Sequence, residues 1–207
     1  MIEVHHLNNS RSQRVLWCLE ELELDYEIVK YERDAATNLA PESLKAVHPL
    51  GKSPVLRVDG QVIFESGAIL DYLVRVHGGG RLAPKPGTPD HERYLMFLHY
   101  AEGSAMLPLM LKLYSGRLGD AAEPLQPRIV EEIENHFGFL EGELADRDWF
   151  VGDSLSAADI NLLFPVQAAR MLHGLDKFPR LVAFRERCIA RTAYERALEK
   201  GGPYAFN

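Results

Sequence analysis

The sequence predicts two domains: an α/β domain built on a small mixed sheet, followed by an all-α domain. Three observations carry this reading. The first 80 residues interleave strand-like and helix-like periods in the order β-α-β-α-β-β-α. Residues 81–89 hold Pro84, Pro86, Gly87 and Pro89, the composition of a linker. From residue 90 to residue 207 the chain shows no convincing strand period. The expected division is therefore a domain over 1–80, a linker over 81–89 and a helical domain over 90–207.

Met1 to Leu7 is strand-like, and Ser10 to Leu24 carries Val15, Leu16, Leu19 and Leu22 at helical spacing. Tyr26 to Tyr31 is rich in β-formers. A helix between these two strands implies that they pair in parallel. Ala40 to Val47 is a short helix candidate. Val55 to Val58 and Gln61 to Phe64 flank Asp59-Gly60, a tight hairpin turn that implies an antiparallel pair. Ser66 to His77 closes the domain as a helix with Ser66 as N-cap, and Gly78-Gly79-Gly80 stops it. Beyond the linker, helical patterns cover Asp90 to Gly116, Glu123 to Arg147, Ser156 to His173, Pro179 to Arg191 and Tyr194 to Lys200. Pro108 should kink or break the first of these. Ser156 and Asp159 have the spacing of a capping box, with Leu155 and Ile160 as a hydrophobic staple.

Composition narrows the function. With 207 residues, 46% of them hydrophobic, the chain can bury a substantial core. A net charge of -7 argues against broad electrostatic binding to nucleic acid or to an anionic membrane. Cys18 and Cys188 form neither a CxxC motif nor a metal-ligand spacing, which fits a reducing compartment and excludes a thioredoxin-type disulfide enzyme. No signal-peptide pattern opens the chain, and no apolar run approaches the roughly 18 residues that span a bilayer. The expectation is a cytoplasmic protein that needs no metal.

The most informative stretch runs from His48 to Ser66. A proline at the mouth of a strand marks its first residue or an edge. A trans Pro54 would simply start the strand. A cis Ser53-Pro54 bond would turn the main chain of Ser53 outward, free to pair with an extended, peptide-like ligand. The start of the following helix, at Glu65-Ser66, suits a carboxylate.

Taken together, these features resemble a cytosolic glutathione transferase, with a thioredoxin-like first domain. His48-Pro49-Leu50-Gly51-Lys52-Ser53-Pro54-Val55-Leu56 is similar to that family's cis-proline loop. Glu65-Ser66-Gly67-Ala68-Ile69 is similar to its γ-glutamyl motif, and Gly152 to Ile160 to its N-capping box. The wording of the proline loop is nearest to the yeast-type branch with bacterial and fungal relatives. The tyrosine classes carry a Tyr near the end of the first strand, where this chain reads His5-His6-Leu7-Asn8-Asn9. The resemblance implies glutathione as cosubstrate. The Ser53 main chain, beside Pro54, would pair with its cysteinyl unit. Glu65 and Ser66 would hold the γ-glutamyl end, and Lys52 would lie near the glycyl carboxylate.

Such chemistry needs the thiolate, because the thiolate is the nucleophile. A free thiol titrates near pH 8.5, so lowering it by about two units corresponds to roughly 2.7 kcal/mol. A hydroxyl donor at a helix N-terminus contributes to that. Family spacing is similar to a serine four residues before a helical arginine, here Ser10 before Arg14. Ser12 is the rival donor, Arg11 a possible positive charge, and Asn9 a rival cap. Ser10 and Ser12 could equally be plain helix caps. Cys18 falls two turns into the helix, too deep for thiol transfer.

An acceptor pocket for small hydrophobic electrophiles is expected between Asn8 and the fourth helix. Met106, Met110 and Tyr114 recur there at four-residue spacing, which would equally suit core packing. The resemblance further implies a homodimer through Ile69 to Val76 and Arg93 to Glu102. Reduction of organic hydroperoxides by the same thiolate is a variant of the activity. The competing reading is a non-catalytic binder or regulator on the same fold.

Overall fold

The computed structural model describes all 207 residues, which divide into two compact units. The first comprises Met1–Ala83 together with Ile189–Asn207, and the second Pro84–Cys188. Residues 189–207 therefore belong with the α/β domain and not, as helix content alone suggested, with the helical one.

The first unit is built on four strands, β1 (Ile2–Leu7), β2 (Glu27–Tyr31), β3 (Val55–Val58) and β4 (Gln61–Phe64). Their order across the sheet is β2-β1-β3-β4. β1 and β2 are parallel, with Val4 opposite Ile28, while β3 is antiparallel to both β1 and β4. At the hairpin, Asp59 and Gly60 both have positive φ, 48° and 87°, as a type I′ turn requires. β1 is a central strand buried on both faces, so it reads as a nearly continuous buried run.

Two helices follow strands, α1 (Gln13–Glu21) and α2 (Ser66–His77), and the candidate helix before β3 is a short 3₁₀ segment, Glu42–Ala46. α1 is buried on nearly every side because α8 (Thr192–Gly201) packs along it. The reason is charge and shape complementarity. Glu21 takes a two-pronged bond from Arg191, at 2.5 and 2.8 Å. Glu20 accepts from Arg196 at 2.8 Å, from the Tyr26 hydroxyl at 2.6 Å and from Lys200. Trp17 meets Tyr194 edge to face at 5.3 Å.

The second unit contains α3 (Pro89–Tyr100), α4 (Met106–Ser115), α5 (Gln126–Glu143), α6 (Ala157–Leu172) and α7 (Pro179–Ile189), which ends at the unit boundary. The long helical pattern is interrupted where Pro108 predicts, but the break takes a definite form. Residues Ala101–Ala105 are π-helical, and Pro108 sits in the first turn of α4, where its missing N–H leaves the Ser104 carbonyl without its helical partner. α6 is buried from Ala157 to Ala169 and forms the centre of this unit. Its capping box is complete: the Ser156 hydroxyl accepts the Asp159 N–H, and Asp159 accepts the Ser156 N–H at 2.8 Å. The other Asp159 oxygen accepts the Phe150 N–H at 2.8 Å. No helix is long and apolar enough to cross a membrane.

Candidate functional site

Two segments of the first unit meet at the carboxyl end of β1, and Leu7 joins them. From one side comes the loop before β3. The Ser53-Pro54 bond is cis. The Ser53 hydroxyl donates to the His5 carbonyl at 2.8 Å and accepts the Leu7 N–H at 3.2 Å. That side chain is stitched to β1, while the main-chain N–H and C=O of Ser53 enter none of the turn and loop hydrogen bonds. Lys52 beside it is exposed and has no intrachain partner. β4 carries the chain back, because Phe64 pairs with Val55, and this delivers Glu65 and Ser66 beside Pro54.

The start of α2 departs by one residue from the sequence reading. Glu65, not Ser66, is the N-cap, and its carbonyl accepts the Ile69 N–H. Glu65 has φ 69° and ψ 120°, a sparsely populated conformation for a residue with a Cβ. Such backbone costs on the order of 1–3 kcal/mol and gathers at ligand sites. Ser66 is then the first helical residue. Its N–H is one of the donors that the helix itself leaves unused, and the residue keeps 3% of its surface. The Glu65 carboxylate is exposed and unpaired.

From the other side comes the turn after β1. Here Ser12 is the N-cap of α1, without capping through its side chain, and α1 starts at Gln13, later than the periodicity from Ser10 predicts. The Ser12 hydroxyl is fully buried; it lies 2.8 Å from His6 Nδ1, 2.8 Å from Ser10 Oγ and 3.3 Å from the Leu7 carbonyl. The Ser12 N–H donates to Ser10 Oγ at 3.2 Å. Ser10 keeps 5% of its surface. Arg11 is half-buried, and its carbonyl accepts the Arg14 Nε–H at 3.4 Å.

His6 closes the inner end of this cluster. Burial pushes its pKa down to about 4, with the Gly201 main chain opposing and Lys30 adding to the shift, so the imidazole is neutral at pH 7. Gly201 packs against this ring: a Cβ placed on it would lie 3.4 Å from His6 Cε1.

Asn8 does not face a ligand with its carbonyl oxygen. That oxygen accepts the Arg33 N–H at 2.9 Å, and the Asn8 main-chain oxygen accepts Arg33 Nε–H at 3.2 Å. In the second unit, Met106 is a core residue, Met110 is half-buried and Tyr114 is exposed. The four-residue stripe thus runs from core to surface. Cys18 is fully buried, and burial pushes its thiol pKa up, with Glu21 adding to it. His6, Arg33 and the segment after α8 complete the cluster. Sequence reasoning passed over all three, and only the paired histidines inside a strand hinted at one of them.

Known proteins match along this whole length. A family model described as the glutathione S-transferase N-terminal domain matches residues 1–75, and one for the C-terminal domain matches residues 100–192. Glutathione S-transferase 1 of Saccharomyces cerevisiae is 31% identical over 100% of this chain and 98% of its own. Glutathione S-transferase 3 of Schizosaccharomyces pombe is 31% identical over 91% of this chain and 85% of its own. Among solved structures, a glutathione S-transferase from Actinobacillus pleuropneumoniae superposes with a TM-score of 0.91 at 33% identity, covering 100% of this chain and 95% of that one. A sphingomonad glutathione S-transferase complexed with glutathione has a TM-score of 0.79 at 28% identity, over 97% and 98% of the two chains.

Proposed function

The chain belongs to the glutathione S-transferase family, and from this we propose that it holds glutathione along the Lys52–Ser66 edge with the sulfur at Ser10. One observation supports this most: the docking loop and the serine turn both bond to the peptide groups of Leu7, which sets them side by side. The Ser53 main chain pairs with the cysteinyl unit. The positive end of α2 at Ser66 receives the γ-glutamyl carboxylate, Glu65 its ammonium, and Lys52 the glycyl carboxylate. A tripeptide with two carboxylates and one ammonium finds two positive sites and one negative.

The glutathione thiol loses its proton to solvent, Ser10 stabilises the resulting thiolate by a hydrogen bond from its un-ionised hydroxyl, and the thiolate attacks a small hydrophobic electrophile. The residual exposure of Ser10 supports this role over Ser12, whose hydroxyl is sealed and engaged by His6. Arg11 and the N-terminus of α1 add positive potential. Met110 and Tyr114 are retained as acceptor-site residues. Met106 supports them from the core, and Asn8 holds the turn. Organic hydroperoxides would be reduced by the same thiolate. The reading includes a homodimer in the cytoplasm; the exposed apolar Val76 and Met96, and two buried free cysteines, support it.

Retention on immobilised glutathione, with conjugation of 1-chloro-2,4-dinitrobenzene, tests the proposal. Retention without turnover of any electrophile or hydroperoxide would make the chain a binding or regulatory protein. Absence of retention overturns the glutathione site.

A further inference from the structure

The turn that carries Ser10 is not held by its own helix alone. Arg33, just past β2, grips one part of it: besides its two bonds to Asn8, its Nη2–H donates to the Asn9 carbonyl at 3.3 Å. The segment past α8 grips the rest. Gly201 lies against His6, a Cβ on it falling 3.4 Å from His6 Cε1, at the inner end of the chain Ser10–Ser12–His6. Four residues on, the Ala205 N–H donates to Asn9 Oδ1 at 2.7 Å. Between them Tyr204 is half-buried; burial raises its hydroxyl pKa, Tyr194 adds to this, and the Arg14 and Arg11 charges oppose it. The tail folds back on α8, because the Tyr194 hydroxyl donates to Asn207 Oδ1 at 3.1 Å and the Asn207 N–H to the Tyr204 carbonyl at 3.3 Å.

Two features show that this fit is specific. Asn9 has φ 49°, a left-handed conformation that a non-glycine residue adopts when its surroundings hold it there. A Cβ on Gly201 would lie 2.6 Å from Gln13 Oε1 and 3.0 Å from Leu16 Cδ1, so a larger residue there would have to push these side chains aside.

We propose that the C-terminal segment Gly201–Asn207 positions Ser10 through two arms, one running from Gly201 through His6 and Ser12 to the Ser10 hydroxyl, the other from Ala205 to Asn9. This rests on the reading that Ser10 faces the sulfur. None of these residues touches the substrate. His6 is too weak a base to take the thiol proton, because burial holds its pKa at about 4. Its Nδ1 lies 2.8 Å from Ser12 Oγ and holds that hydroxyl in place, and Ser12 Oγ in turn holds Ser10 Oγ at 2.8 Å. When thiolate arrives, Ser10 exchanges a neutral partner for a charged one, a hydrogen bond roughly twice as strong. That exchange needs the oxygen to stay where Ser12 and Asn9 place it. The charge that bears on His6 is Lys30, its register partner on β2; Arg11 and Arg14 bear on Tyr204.

Two variants of the full chain test the arms. Ala205→Pro removes the donor to Asn9 at an exposed position, with Ala205→Gly as the control that keeps the N–H. His6→Leu removes the other arm, and His6→Asn restores an acceptor near the Nδ1 position. The pKa of bound glutathione is read from its ultraviolet thiolate absorbance, and kcat/KM is followed against pH. Ala205→Pro and His6→Leu should each raise the bound-thiol pKa by about half to one unit, which lowers kcat/KM about three- to tenfold below that pKa. The loss should vanish at high pH, with KM for glutathione changed less than about twofold. Ala205→Gly should match the parent, and His6→Asn should fall between the parent and His6→Leu. Profiles superimposable on the parent overturn the proposal, even if thermal stability drops. If His6→Leu fails to fold, Ala205→Pro against Ala205→Gly decides. A parent protein that shows no bound thiolate overturns the proposed function instead, and this inference with it.

Discussion

Replacing Ser10 by Ala gives the sharpest account of how the thiol is activated. In the free protein the Ser10 and Ser12 hydroxyl oxygens lie 2.8 Å apart and share a hydrogen bond. A hydrogen bond to a charged acceptor is worth about 1.5–3 kcal/mol net, and a neutral one about 0.5–1.5 kcal/mol. Because Ser10 gives up the second to make the first, its net stabilisation of thiolate is about 1–1.5 kcal/mol, or about one pKa unit. Ser10 alone therefore does not supply the whole shift of about two units that would make the thiol mostly ionised at neutral pH. The N-terminus of α1 and the Arg11 charge must contribute the remainder. The expected phenotype is a bound-thiol pKa raised by about one unit and a kcat/KM about tenfold lower below it, converging on the parent at high pH. Conjugation rates across a pH series, with the binding of glutathione measured separately by calorimetry, give both quantities. An unshifted pH profile, or a deficit that persists undiminished at high pH, refutes the role and moves it to Ser12 or Arg11.

Other consequences can be checked on stability. His6 has a folded pKa of about 4 against 6.5, so the unfolded chain binds a proton that the fold excludes, and stability is lost as pH falls from about 6.5 to 4. The loss should approach about 3 kcal/mol in urea titrations, and His6→Leu should remove that part of the pH dependence. Asp159→Ala strands the buried N–H groups of Phe150 and Ser156 and should cost about 2–5 kcal/mol by denaturant unfolding; Asp159→Asn should cost less. Glu20→Gln weakens the bonds from Arg196 and Lys200 at the α1–α8 contact and should cost about 1–3 kcal/mol, with α8 amides exchanging faster. Met96→Glu should convert a dimer to a monomer in gel filtration without loss of helical circular dichroism.

How much of this was legible along the chain depended on how far apart the partners lie. The Asp59-Gly60 turn, the Ser156/Asp159 box and the proline before β3 are local devices whose partners are a few residues away, and each appears where the residues indicate. Shifts by one or a few residues came from local competition that pattern cannot resolve. Glu65 takes the cap from Ser66 by adopting positive φ, and Ser12 takes the start of α1 because Ser10 turns its hydroxyl inward. The break at Pro108 was legible, whereas its π-helical form was not, since nothing in the proline itself selects between a kink and a widened turn.

The sequence by itself determined the elements, the mixed-sheet and helical division and the family. All of these rest on neighbouring residues. Tertiary structure alone decided that α8 returns to the first unit, that Ser12 is fully buried while Ser10 keeps 5% of its surface, and that Ala205 bonds to Asn9. Glu21 meets Arg191 across 170 residues, and Asn9 meets Ala205 across 196. No periodicity records such pairs, because charge and hydrogen-bond partners are chosen by the packing of α8 on α1 and not by position along the chain.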